Sequence, residues 1–157
     1  MGPLVPTNWL AVVASVVASF ALGALWYGPL FGRAWRKAMG FLPDERPPTA
    51  EIARGSLLNL LGTFLVAFFL THDMLGWKPP LPHVSAGYQY LFVGGVTVRS
   101  TFKTCFVVWL GFVVPMLLNG VAYERKSWRV FAIAASYQFV SLQMMGAILS
   151  NWPAQGA

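Results

Sequence analysis

The apolar positions of this chain fall into four long runs separated by polar or proline-broken stretches. The first, Asn8 to Gly28, is stopped by Gly28-Pro29. The second, roughly 55–75, contains Phe64-Leu65-Val66-Ala67-Phe68-Phe69-Leu70, and the third covers roughly 100–123. The fourth, roughly 128–150, is followed by Asn151-Trp152-Pro153. A helix rising 1.5 Å per residue needs about 20 largely apolar residues to cross a hydrocarbon core of about 30 Å. The pattern therefore predicts an all-α protein, an integral membrane four-helix bundle with spans at 8–28, 55–75, 100–123 and 128–150, forming a single transmembrane domain over 1–157.

The pieces between the runs differ in kind. Residues 33–54 carry half of the charged residues together with Pro43, Pro47 and Pro48, and open on a short basic helix with Arg33, Arg36 and Lys37. Trp77 to Pro82 is a proline-broken loop. Residues 84–98 are apolar, but they are short for a span and interrupted by Gly94-Gly95. An interfacial or re-entrant piece, or an extension of the third helix, is expected there. The first run resembles a signal-peptide core, yet Met1–Asn8 has no Lys or Arg, so it is expected to be retained as a span.

Composition sharpens the membrane reading. Hydrophobic residues make up 57% and charged residues 10% of the 157 positions, against roughly 25% charged in a soluble domain. The surplus apolar surface has to face lipid. Six of the seven tryptophans, Trp9, Trp26, Trp35, Trp77, Trp128 and Trp152, lie at or just outside the ends of the runs, as an interfacial belt places them. The net charge of +6 would suggest nucleic acid in a soluble protein. Here the cations cluster between apolar runs, so orientation in the bilayer explains them and no nucleic acid is expected. With four spans, Arg33, Arg36, Lys37, Arg46, Arg54, Arg125, Lys126 and Arg129 fall on one side and Lys78, Arg99 and Lys103 on the other, eight against three. That asymmetry puts loops 29–54 and 124–128 in the cytoplasm and both termini outside, in the plasma or inner membrane.

Small and polar residues suggest how the helices meet. Ala11, Ser15, Ser19 and Gly23 step by four along the first span and form a stripe on which another helix packs closely. Gly111, Pro115 and Asn119 step likewise in the third, and Ala132, Ser136, Gln143, Gly146 and Ser150 share a face of the fourth. Asn59, Asn119 and Gln143 are expected to point into the bundle and hydrogen-bond between helices. Gln138 sits about 140° from Gln143 around a helix, so it needs another neighbour, a second protomer being one candidate. Trp26, Tyr27, Pro29, Gly32 and Trp35 read as a hinge and interfacial anchor where the chain leaves the first span and turns along the membrane surface.

Chemistry is thinly represented. The carboxylates Asp44, Glu45, Glu51, Asp73 and Glu124 show no acid–base pairing. His72-Asp73 with His83 is a poor chelating arrangement, since adjacent helical residues point about 100° apart. Cys105 is alone and lies in an apolar run, where it should be buried. No catalytic, cofactor or metal site is expected.

Asn8-Trp9-Leu10-Ala11, the string Trp26-Tyr27-Gly28-Pro29-Leu30-Phe31-Gly32-Arg33-Ala34-Trp35, Trp109-Leu110-Gly111-Phe112, Asn119, Glu124, Tyr137 and Met145-Gly146-Ala147-Ile148-Leu149 together resemble the domain-of-unknown-function family 1761 of small integral membrane proteins. The resemblance covers nearly the whole chain except Trp77–Val98. It implies a four-helix membrane protein and no established activity. Histidines that the resemblance leads one to expect after Asn119 and after Tyr137 are Gly120 and Gln138 here. The expected function is that of a non-enzymatic structural, assembly or stress-related membrane component, the alternative being a small-solute or ion permease subunit using polar residues inside the bundle. The lipid bilayer is the expected partner, with a homo-oligomer as a further possibility. The charge asymmetry makes one direct prediction: a Ser127→Cys variant in intact cells reacts with a membrane-impermeant maleimide only after the cytoplasmic side is opened. Labelling from outside would invert the orientation.

Overall fold

The computed structural model describes residues 7–42, 48–76 and 98–152, which form helices and short connections. Helix α1 is Trp9–Leu25, continuing as a wide π turn over Trp26–Leu30. Helix α2 is Gly32–Met39 and α3 is Thr49–Gly76. Helix α4, Val98–Val108, passes through a second π turn at Trp109–Val113 into α5, Val114–Ala122. Helix α6 is Trp128–Asn151. Among the described residues, four helical runs are long and apolar enough to cross a membrane: Trp9–Leu30, Thr49–Thr71, Thr101–Ala122 and Trp128–Asn151. The protein is an all-α, multi-pass membrane four-helix bundle. The side chains of His72 and Asp73, together with residues 77–97 and His83 among them, lie outside the described residues, as does most of the piece expected at 84–98.

Two boundaries differ from the sequence expectation. The first span does not stop at Gly28; it runs through Pro29 to Leu30, and the break falls at Phe31, where φ is −119° and ψ 1°. Proline lacks an amide donor, and its ring crowds the carbonyl four residues back. The chain absorbs this by widening: the Phe31 amide donates to the Trp26 carbonyl at 2.8 Å, five residues back, and to that of Gly28. The third span uses the same device just before Pro115. The second span starts at Thr49 instead of near Gly55, so Glu51 and Arg54 belong to its helix.

Helix ends are closed by side chains. The Asn8 side chain accepts from the Ala11 amide at 3.2 Å, and its Nδ2 donates to the Trp152 carbonyl at 3.1 Å, fastening the start of α1 to the end of α6. Ser127 caps α6 by accepting from the Val130 amide. The tight connection before it places Arg125 in the left-handed region, at φ 57°.

Helix α6 is the centre of the bundle, packing on α1 along one side and on α4 and α5 along another. Helix α3 packs chiefly on α1. Small residues pack where the helices meet: Ala11, Ser15, Ser19, Ala67, Thr71, Cys105, Ala135 and Ser141 are buried beside larger side chains such as Val12, Leu142 and Met145, while Leu10, Val17, Leu57, Leu61, Phe69, Phe112 and Met116 face outward. Lipid solvates large apolar side chains as well as a neighbouring helix does, so association rests on close packing and on hydrogen bonds. The core where all four spans meet is formed by Ala11 and Val12 of α1, Ala67 and Leu70 of α3, Cys105 of α4, and Leu142, Met145 and Leu149 of α6. A Cβ on Gly146 would stand 2.7 Å from both the Cys105 Sγ and a Thr101 methyl carbon. Gly146→Val is therefore expected to destabilise the bundle by about 1–3 kcal/mol. Thermal unfolding in detergent measures this, and Cys105→Ala in the same chain should return part of the loss.

Candidate functional site

The first and fourth spans meet around Tyr137 of α6. Its hydroxyl donates to the Ser19 carbonyl at 3.2 Å, and one turn further along α6 the Ser141 hydroxyl donates to Ser19 Oγ at 3.1 Å. Gly23 leaves room for the phenol: a Cβ there would lie 3.1 Å from the Tyr137 oxygen. Ser15 and Ser19 are fully buried, Ala11 is nearly so, and Gly23 is half-buried, so this stripe lies within the helix packing. Ser15 satisfies its own hydroxyl on the Ala11 carbonyl at 2.8 Å.

The aromatic string wraps the same phenol. Trp26 and Tyr27 lie with ring centroids 6.3 and 5.2 Å from Tyr137, and Trp35 meets the edge of Tyr27 at 5.6 Å. The Trp26 indole donates to the Ile133 carbonyl at 3.1 Å. Gly32 is buried at the start of α2, where any Cβ would collide with the Tyr27 carbonyl oxygen. The break after Pro29 thus folds α2 back against α6 and brings Trp35 next to Tyr27. On the far side of α6, the Trp109 indole donates to the Ala135 carbonyl at 2.8 Å and its ring packs on Phe139 at 5.2 Å.

A lateral groove opens from this cluster. Helices α1 and α3 are close near Trp9 and Phe68, whose rings stack at 6.1 Å. Towards the other end they diverge, leaving a cleft of about 740 Å³ among α1, α2, α3 and α6. Tyr27, Trp35 and Tyr137 give it aromatic walls; Gly23, Gly28 and Gly55 leave it open; Glu51, Ser56, Asn59 and Gln138 give it polarity. Much of its lining is exposed on the outside of the bundle, so the groove opens sideways. Asn59 lies near the middle of Thr49–Thr71 and Gln138 near the middle of Trp128–Asn151, each about 15 Å along its span. Glu51 lies in the first turn of α3. Among the described residues, Tyr27 Oη, Ser56 Oγ and the amides of Asn59 and Gln138 have no hydrogen-bond partner, and Glu51 has no ion pair.

These positions correct the expectation for the amides. Asn59 and Asn119 are exposed on the outside of the bundle instead of turned into it. The interior is filled by Ala and Ser together with Val12, Leu70, Leu142, Met145 and Leu149, and it is Gly120, next to Asn119, that is buried, against the Lys126 side chain. Gln143 alone of the three bonds across helices, its Nε2 donating to the Phe102 carbonyl of α4 at 3.3 Å. Ala132 and Ser136 are exposed while Gly146 is buried, so the fourth-span stripe is not one interface. The groove was missed because its residues come from four separated segments. The legible signal was Gln138, set apart from Gln143 around the helix.

A family model described as "Protein of unknown function (DUF1761)" matches residues 10–150. The chain belongs to the DUF1761 family. No curated protein and no solved structure matches it. The match runs from α1 to the end of α6 and so includes every wall of the groove. The two positions where this chain lacks the histidines anticipated above also fall in clefts: Gln138 in the groove, and Gly120 in a smaller cavity of about 240 Å³ with Met116, Glu124 and Lys126. Trp35 of α2 stands between the two, lining both. The contact of Gly23 with the Tyr137 hydroxyl yields a coupling. Gly23→Ala should gain about 1 kcal/mol more in a Tyr137→Phe background than in the unmodified chain, as read from a double-mutant cycle of unfolding free energies.

Proposed function

We propose that this DUF1761 protein is a non-enzymatic component of the plasma or inner membrane that holds a lipid-like amphiphile in the groove between α1, α3 and α6. The observation that carries this reading is the set of unpartnered hydrogen-bonding groups, Asn59 and Gln138 at mid-span and Tyr27 towards the end of the first span, lining a cleft open to the side. A polar group facing hydrocarbon without a partner is costly, so such groups fit an occupant with polar atoms of its own. An amphiphile in the bilayer reaches a lateral opening without crossing water. The eight-against-three distribution of cations supports an orientation with the α2 end of the groove at the cytoplasmic face and both termini outside.

A permease subunit would draw on amides inside the bundle, whereas Asn59 and Asn119 are exposed outside it. The binding reading is tested by plugging the groove. No neighbouring atom lies within 4 Å of a Cβ placed on Gly55, and replacing a helical glycine adds up to about 1 kcal/mol of helix stability. Gly55→Trp should leave the melting temperature unchanged or raised while lowering the lipid that co-purifies, counted by native mass spectrometry. Unchanged lipid content in a folded Gly55→Trp protein would overturn the reading.

A further inference from the structure

The groove has a polar end and a deep end, and their chemistry differs. At the membrane-surface end stands Glu51, a carboxylate without an ion pair among the described residues, in a chain with a net charge of +6. Its place in the first turn of α3 suits the helix dipole. The dipole does not account for its facing a groove lined by Tyr27, Trp35 and Tyr137. A carboxylate sharing a cleft with several aromatic rings is the chemistry that recognises an ammonium group, by ion pairing and by cation–π attraction. Two turns below Glu51, about 12 Å along the helix, Asn59 faces the groove, with Gln138 across from it on α6. Their amide N–H groups suit carbonyl acceptors.

We infer that the groove takes an amine-headed glycerophospholipid from the bilayer, with its ammonium at Glu51 and the aromatic rings and its ester carbonyls towards Asn59 and Gln138. This rests on the groove being a binding site, as proposed above, and adds the headgroup. The order of groups in such a lipid, ammonium nearest the surface and ester carbonyls deeper, follows the order of Glu51 and then Asn59 and Gln138 from the surface inward. Lipids with a glycerol headgroup carry the same chains and carbonyls and lack the cation that Glu51 would pair.

The test is competitive retention by the full-length protein, read by native mass spectrometry, with palmitoyl-oleoyl phosphatidylethanolamine against phosphatidylglycerol of the same chains. The amine lipid should be retained about fivefold over the glycerol lipid, the size of one partly exposed ion pair with a cation–π contact. The preference should disappear in Glu51→Gln and persist in Glu51→Asp. Should Glu51→Gln fail to fold, Trp35→Leu, which removes one of the aromatic walls, carries the same expectation. Equal retention of both lipids, each lost in Gly55→Trp, would overturn the headgroup assignment and leave the groove standing. Retention untouched by Gly55→Trp would overturn both. Binding of dodecyltrimethylammonium without retention of either phospholipid would overturn the phospholipid and assign the site to a free cationic amphiphile.

Discussion

Two tryptophan indoles gripping one helix are the constraint around which the bundle is arranged. Trp26 and Trp109 each open a π turn, and each donates its indole N–H to a carbonyl of α6, at Ile133 and Ala135 respectively. Inside a bilayer an indole N–H finds no water, and a helix carbonyl that already accepts one hydrogen bond has a second lone pair to offer. The two bonds fix the rotation and height of α1 and of the α4–α5 span relative to α6. With α1 set in this way, Ser19 meets Tyr137 and Ser141. With α4 set, Cys105 and Thr101 close on Gly146. The π turns serve the same end, since the extra residue in each re-aims the tryptophan and lets a proline sit in or beside the span without an abrupt break.

Helix α3 stands outside this arrangement. It is held to α1 by Ala67, Leu70 and the stacking of Phe68 on Trp9, all in its second half. Among the described residues, its first half has no partner of comparable closeness, and the groove is the space that results. The groove therefore comes from an economy of contacts: the fold spends its small residues on α1, α4 and α6, and α3 presents Gly55 and Asn59 to an opening instead of to a helix.

How far the sequence disclosed this depends on the range of the information. The four spans were legible because hydrophobic runs and interfacial tryptophans are local features, and the pairing of small residues on α1 with a neighbour followed from a spacing of four. The end of the first span was misplaced by two residues' worth of helix because proline was expected to stop it, while a π turn carried it to Leu30. The amides were misjudged for a deeper reason. A polar residue in a span signals that it needs a partner, and which side of the helix that partner occupies is decided by the other helices. Asn59 and Gln138 lie on opposite walls of one cleft, a relation that no spacing along the chain encodes.

The position of α6 in the chain has a consequence for how the molecule is made. The hub of the bundle is the last of the four spans to emerge from the ribosome. Until it arrives, α1 and the α4–α5 span sit in the bilayer with the indoles of Trp26 and Trp109 lacking the carbonyls they bond in the finished fold. Among the described residues, only α1 and α3 have substantial mutual packing before that point. Biogenesis is thus ordered as an early pair followed by a late closure, and the membrane insertion machinery or the lipids themselves must solvate those donors in the interval.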